Sequence, residues 1–191
     1  MKKTLLIALF LIPFLGLAQT PKLIDGFLGI KFGSTRAAAI VAMKAKGAIL
    51  DKQNSTTEEL EYNHVKLGHR ESVDFGIFFL NDKAYKAVFV FKIEEEPKTI
   101  EYYYSLVNDI NEVYGIGTPT KIFRSPYKDG DGDEILAIEG GYADLYTDWN
   151  SGGGSIQASI DNKLNIILIY QDDALAKAAA SKQKTKEKSD F

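Results

Sequence analysis

The stretch SVDFGIFFLNDKAYKAVFVFKI, residues 72–93, constrains the fold more than any other part of the chain. Val73, Phe75, Ile77 and Phe79 alternate with other residues. After Asn81-Asp82-Lys83 the alternation resumes at Tyr85, Ala87, Phe89, Phe91 and Ile93. Strand side chains point to the two faces in turn, so a period of two on both sides of a polar turn predicts an antiparallel hairpin. Val88 and Val90 fall on the opposite face and predict that it too is partly covered.

Helices are expected to lie against such a sheet. In residues 33–47, Ser34 or Thr35 offers a capping hydroxyl, Ala37, Ile40 and Val41 form a thin apolar stripe with Met43 at its margin, and Gly47 ends the run. In residues 97–115, Pro97 sits where helices begin, and Ile100, Tyr103, Leu106, Val107, Ile110, Val113 and Tyr114 recur at helical spacing up to Gly115. Tyr102 to Tyr104 cannot all face one way, which places one or two at the helix margin with hydroxyls in water. Further strands are expected over residues 27–32, 60–67, 118–124, 135–138, 143–150, 155–160 and 164–170, with turns at 151–154 and 161–163. From Asp172 the sequence predicts an alanine-rich helix. Beyond Ala180 it predicts a disordered lysine-rich tail, because almost no apolar residue follows.

The chain opens with MKKTLLIALFLIPFLGLAQT, two lysines, an apolar run and small residues before Gln19. This is the pattern of an export signal over residues 1–18, cut after Ala18. Its loss removes Lys2 and Lys3 and takes the formal charge from −3 to −5. A mildly acidic chain argues against nucleic acid or an anionic membrane surface as partner. No later apolar run approaches the ~20 residues of a spanning helix, so no integral membrane segment is expected after cleavage. Destinations are the periplasm or the exterior. With no cysteine in the chain, neither a lipid anchor on cysteine nor a disulfide is available, and packing alone must hold the fold.

FFLNDKAYKAVFVF (78–91) and ASIDNKLNIILIYQ (158–171) share strand, polar turn with lysine, and apolar strand, each downstream of a helix ended by glycine. The expected fold is therefore α+β. One domain over residues 19–171 consists of two consecutive helix-then-antiparallel-strand units, about 27–93 and 97–171, with helices on one face of the sheet. A helix opened by Gly33-Ser34-Thr35, antiparallel strands, and the same plan after Tyr114-Gly115 and Pro119 resembles β-lactamase-inhibitor-protein-like modules. It also resembles the small lipoprotein of the outer-membrane assembly machine, and uncharacterised exported bacterial proteins. The resemblance implies a fold and a habit of binding protein surfaces. It carries over no residues: the assembly lipoprotein is lipidated on cysteine and the inhibitor family has disulfides, and both features are missing here.

The sharpest chemical pattern is YKDGDGDEILAIEGG, residues 127–141. Asp129, Asp131 and Asp133 match calcium-loop positions one, three and five. However, Glu134 stands where a glycine is required, and Glu139 falls one short of the bidentate twelfth position. A hairpin loop accounts for alternating Asp-Gly equally, since both residues tolerate left-handed backbone. Asp144 and Asp148 beside Trp149 suggest paired carboxylates. In a strand they lie about 13 Å apart on one face, beyond the roughly 5–10 Å that glycoside hydrolysis uses. His64 and His69 are five apart with no third ligand nearby. No serine lies in a nucleophile elbow, and SGGGS lacks the lysine and helix of a phosphate loop. These observations favour a non-catalytic exported module that binds another envelope or extracellular protein. The alternatives are a calcium-assisted or carbohydrate-binding module using Asp129 to Glu139, and a hydrolase using the acidic residues near Trp149.

Overall fold

The computed structural model describes residues 22–189; the expected export signal and its cut lie outside the described residues. The strand expected over 27–32 is broken. Leu28 and Gly29 take φ of 47° and 78°, folding β1 (Gly26–Phe27) back on β2 (Ile30–Lys31). Phe27 and Ile30 thereby turn inward together.

Thr35 caps α1 (Arg36–Ala45), its Oγ1 accepting from the Ala38 N–H at 3.2 Å. The stripe of α1 differs from expectation: Ala39 and Met43 are buried, whereas Ala37 is exposed and Val41 is 69% exposed. The reason lies at the helix entry. The Gly33 N–H donates to Ala84 O and the Ala84 N–H to Ser34 O, both at 2.8 Å, and this clamp turns the Ala39–Met43 side to the sheet.

Then come β3 (Leu50–Asp51), β4 (Glu59–Asn63), a small ribbon of β5 (Lys66–Leu67) and β6 (Arg70–Glu71), β7 (Asp74–Leu80) and β8 (Lys83–Lys92). The strand expected over 60–67 stops early, at His64 with φ 56°. The predicted β7–β8 hairpin is present, and its turn is tighter than expected. Asn81 and Asp82 both have positive φ, and Lys83 already pairs with Leu80.

A 3-10 turn at Glu96–Lys98 leads into α2 (Thr99–Tyr114), which buries Tyr103, Leu106, Val107 and Ile110. The three tyrosines divide as geometry requires. Tyr104 is exposed, Tyr102 lies half-buried against Phe91, and Tyr103 is buried with its hydroxyl on Thr147 Oγ1 at 2.8 Å.

After β9 (Thr118–Phe123) the expected strand over 135–138 is instead a helix, α3 (Glu134–Glu139). Ala137 and Ile138 face inward and Leu136 outward. A four-residue apolar run has no period that separates strand from helix. β10 (Ala143–Ser151), β11 (Gly154–Ile160) and β12 (Asn165–Asp172) follow. α4 (Asp173–Ser189) carries helix through the lysine-rich segment expected to be disordered.

The main sheet is wholly antiparallel in the order β3-β4-β7-β8-β12-β11-β10-β9. Each half adds its strands from the rim inward, and the last strand of one half pairs with the last of the other. The two central hairpins correspond in place but not in turn: Leu80 pairs with Lys83, whereas Ile160 pairs with Ile166 across a longer loop. α1, α2 and α3 pack on one face. α4 lies over the other, a departure from the expected single helical face.

One polar knot ties α2 to β10. The Trp149 Nε1–H donates to Asn111 Oδ1 (2.9 Å) and Gly115 O (3.0 Å), and Asn111 Oδ1 also accepts the Gly117 N–H at 2.9 Å. A Cβ on Gly117 would lie 2.5 Å from the Trp149 ring. Gly117→Ala should therefore force the indole out of place and cost about 1–3 kcal/mol, as overpacking does. The denaturation midpoint, followed by the fluorescence of this one tryptophan, measures it.

Candidate functional site

Cross-strand register defines the face opposite α1–α3. One row runs Asp51, Glu61, Gly76, Val88, Ile169, Gln157, Asp148, Thr118. The next runs Asn63, Asp74, Val90, Ile167, Ser159, Tyr146, Thr120. Val88, Val90, Ile167 and Ile169 thus form a half-buried apolar quartet at the centre of the sheet. Hydrogen-bonding side chains flank it on both sides. With eight strands about 4.8 Å apart and ~23 Å long, this face measures roughly 800 Å2.

The first-half side of the face is acidic. Glu59 and Glu61 are two apart on β4, and both reach over Gly76. A Cβ there would meet Glu59 Oε1 at 3.1 Å and Glu61 Oε1 at 3.3 Å. Burial, followed by the hydrogen bond and the charge of Glu59 and by the charges of Asp74 and Asp51, pushes the Glu61 carboxyl up to about 8. Two carboxylates this close, one of them partly desolvated, favour the protonated form of Glu61. Lys86 lies on the Phe78 ring at 3.9 Å. Burial lowers its pKa and Glu59 partly offsets that.

A third row runs Glu59, Phe78, Lys86, Gln171, Ser155 and Asn150, and its first four residues floor a cleft under α4. The cleft has a volume of about 1150 Å3 and is bounded by Thr56, Glu58 and Tyr85, with α4 as its far wall. Past Gln171 the face continues into a smaller polar depression of about 290 Å3 between Asp148, Asn150, Ser155, Gln157 and Asp173. Its groups already satisfy one another. Gln157 Nε2 donates to Asp148 Oδ1 at 2.8 Å, and Ser155 Oγ to Asp173 Oδ1 at 2.7 Å.

The acidic loop does not gather its carboxylates. Asp129 is paired with Lys121. Asp131 accepts the N–H of Lys128 (2.7 Å) and of Asp133 (3.0 Å), and these bonds hold its pKa below the usual value. Glu134 Oε1 accepts the Gly130 N–H at 3.0 Å. Gly130 and Gly132 have φ of 77° and 89°, so the Asp-Gly alternation serves the turn. The loop leads from β9 into α3 and not, as expected, across a hairpin, and Glu139 stands exposed at the far end of that helix. Among the described residues no three His, Cys, Asp or Glu side chains group to hold a metal.

Asp144 and Asp148 share the open face with Tyr146 between them. Asp144 is held by Arg124, and Asp148 by Gln157. His64 Nδ1 meets Glu71 at 2.9 Å in solvent, and His69 is exposed. The outer edge of the sheet is guarded. The Arg124 N–H bonds to Tyr142 O, so by alternation Pro119 sits where the N–H would point away from β10. A proline there offers no donor to an incoming strand.

Two outcomes follow. Millimolar calcium should leave the melting temperature unchanged; a rise of several degrees would make the loop a cation site after all. Glu61 has a folded pKa of about 8 against an ordinary 4.5. Its proton therefore contributes stability that is complete below pH 4.5 and lost as pH climbs through 8. Glu61→Gln should melt above the native chain at pH 8.5, and the difference should close near pH 4.5. A difference independent of pH would mean the proton is not held there. Comparisons with protein-family models, with curated proteins and with solved structures find no match.

Proposed function

We propose that this chain is an exported, non-catalytic module that receives another envelope or extracellular protein on the open face of its sheet. The observation that carries it is the quartet Val88, Val90, Ile167 and Ile169. It is a contiguous apolar centre that α1–α3 leave uncovered, rimmed by Glu61, Asp74, Ser159, Gln157 and Tyr146. An apolar core with a polar rim is the anatomy of a protein interface. The whole face measures roughly 800 Å2 with the end beneath α4 included, so a partner of standard interface size would need that end as well as the quartet. The resemblance to inhibitor-protein-like modules supports the same reading through its habit of engaging protein surfaces, and the leader-like first eighteen residues support export.

Ile169→Asp places a charge at the centre of the quartet, whereas Val41→Asp alters an exposed residue of α1 on the other side of the sheet. Against envelope extract, the first should lose at least tenfold of whatever the native chain captures, and the second should lose nothing. Both should keep the native circular dichroism. Equal capture by both would remove the open face from the function.

A further inference from the structure

We propose that the cleft beneath α4 is a seat for a basic amphipathic helix of the partner protein, and that α4 is its weakly held resident. The inference rests on the open-face reading and names the kind of partner that face takes. The backbone of α4 is tied to the sheet at its start. It follows β12 without a linker, the Asp173 N–H donates to Gly153 O (3.0 Å), and the Leu175 N–H to Asp172 Oδ1 (2.8 Å). Over its first half it presents Ala176, Ala179, Ala180 and Gln183 to the cleft, the i, i+3, i+4, i+7 positions of one helical face, and farther along Lys182, Thr185, Lys186 and Glu187 complete the wall. Opposite stand Phe78, Tyr85, the stem of Lys86 and Gln171.

Along the first two turns of α4, large side chains on the floor thus meet the single methyl groups of Ala176, Ala179 and Ala180, and the cleft, about 1150 Å3 in all, stands open to solvent. An alanine brings a single methyl group to an interface, so this docking buries little apolar area. From Ala180 to Lys188 the α4 side chains are exposed. Its distal half reaches the sheet edge through Lys182 Nζ to Glu58 Oε1, at 3.3 Å across solvent. A helix with leucine or phenylalanine at the alanine places would fill the cleft. A lysine or arginine at the place of Lys182 would meet the same carboxylates, Glu58 and its neighbour Glu59. Such a helix outcompetes α4 by area and matches it in charge.

The test uses the full chain and a labelled peptide of residues 173–189 in which Ala176, Ala179 and Ala180 are leucine. Saturable binding with a Kd of about 10 µM or tighter is expected, at least tenfold tighter than for the unaltered peptide. Amide exchange across the chain's own α4 should speed up about tenfold as the peptide displaces it. Glu58→Lys should weaken binding about two- to fivefold, the range of an exposed ion pair. A peptide also carrying Lys182→Glu should recover that loss on the Glu58→Lys chain. No binding, or binding that leaves α4 exchange unchanged, overturns the proposal. If the peptide fails while Ile169→Asp still abolishes capture, the face binds a partner of another shape. If both fail, the open-face reading falls as well.

Discussion

The antiparallel pairing of β8 with β12 is the contact on which the rest of the molecule depends. Phe89 stands opposite Leu168 and Phe91 opposite Ile166, all buried. The pairing joins two four-stranded sheets into one and removes an open edge from each, which isolated halves would have to protect. A chain of aromatic contacts crosses the same seam. Phe27 meets Phe75 at 6.3 Å, Phe75 meets Phe89 at 4.4 Å, Phe89 meets Tyr170 at 6.1 Å, and Tyr170 meets Tyr114 of α2 at 6.4 Å. Tilted and edge-on pairs of this kind add to simple area burial. In a chain without cysteine, this ladder takes the part that disulfides play in many small exported domains.

The same seam produces the candidate binding surface. Because strand side chains alternate, each buried residue of β8 and β12 has neighbours on the other face, and there the pairing sets Val88 beside Ile169 and Val90 beside Ile167. A central strand must be apolar on its core side. Nothing requires it to be apolar on its second side unless that side is also covered. β10 and β11, farther out, follow the usual alternation, with Asp144, Tyr146, Asp148, Gln157 and Ser159 outward. The contiguous apolar stretch of the second face lies on the two strands at the seam, with Phe78 of β7 and Ile122 of β9 as outlying apolar residues.

Legibility in the sequence followed the length of each pattern. The 72–93 hairpin and α2 carry enough periods to fix the element type and most of the inward side, with exceptions at Val73 and Val113, which are exposed, and at Tyr85, which lines the cleft while Ala84 is buried in its place. Ile135 to Ile138 is too short to carry a period. The α1 stripe was misjudged because Ala37, Ala39, Val41 and Met43 are all apolar, and the side that faces in is decided by the Gly33–Ala84 clamp, a contact between distant residues. Leu28 and His64 break strands by adopting positive φ, which no residue type announces in a leucine or histidine. The site was less legible still. Glu58 and Lys182 stand 124 residues apart in sequence, and the crowding of Glu59 with Glu61 over Gly76 depends on β4 pairing with β7. The one loop that looked chemical turns Asp131 onto its own backbone N–H groups and Asp129 onto Lys121.

The two faces obey packing rules unequally, and the inequality points the same way as the quartet. On the helical side Tyr103 pairs with Thr147, Trp149 with Asn111, and Arg70 with Asp109 and Ser105, while the Tyr62 hydroxyl and Thr99 Oγ1 are buried without a partner. On the open side three costs coincide within a few strands. Apolar side chains are left half in water, Glu59 and Glu61 crowd together over Gly76, and aromatic rings in the cleft face alanines of α4. Each is a loss the folded chain bears alone, and each would be relieved by a second surface that brings apolar area and positive charge. Departures from local consistency gather where a protein does its work. Here they gather on the face that carries no secondary structure of its own except a helix too small-sided to fill it.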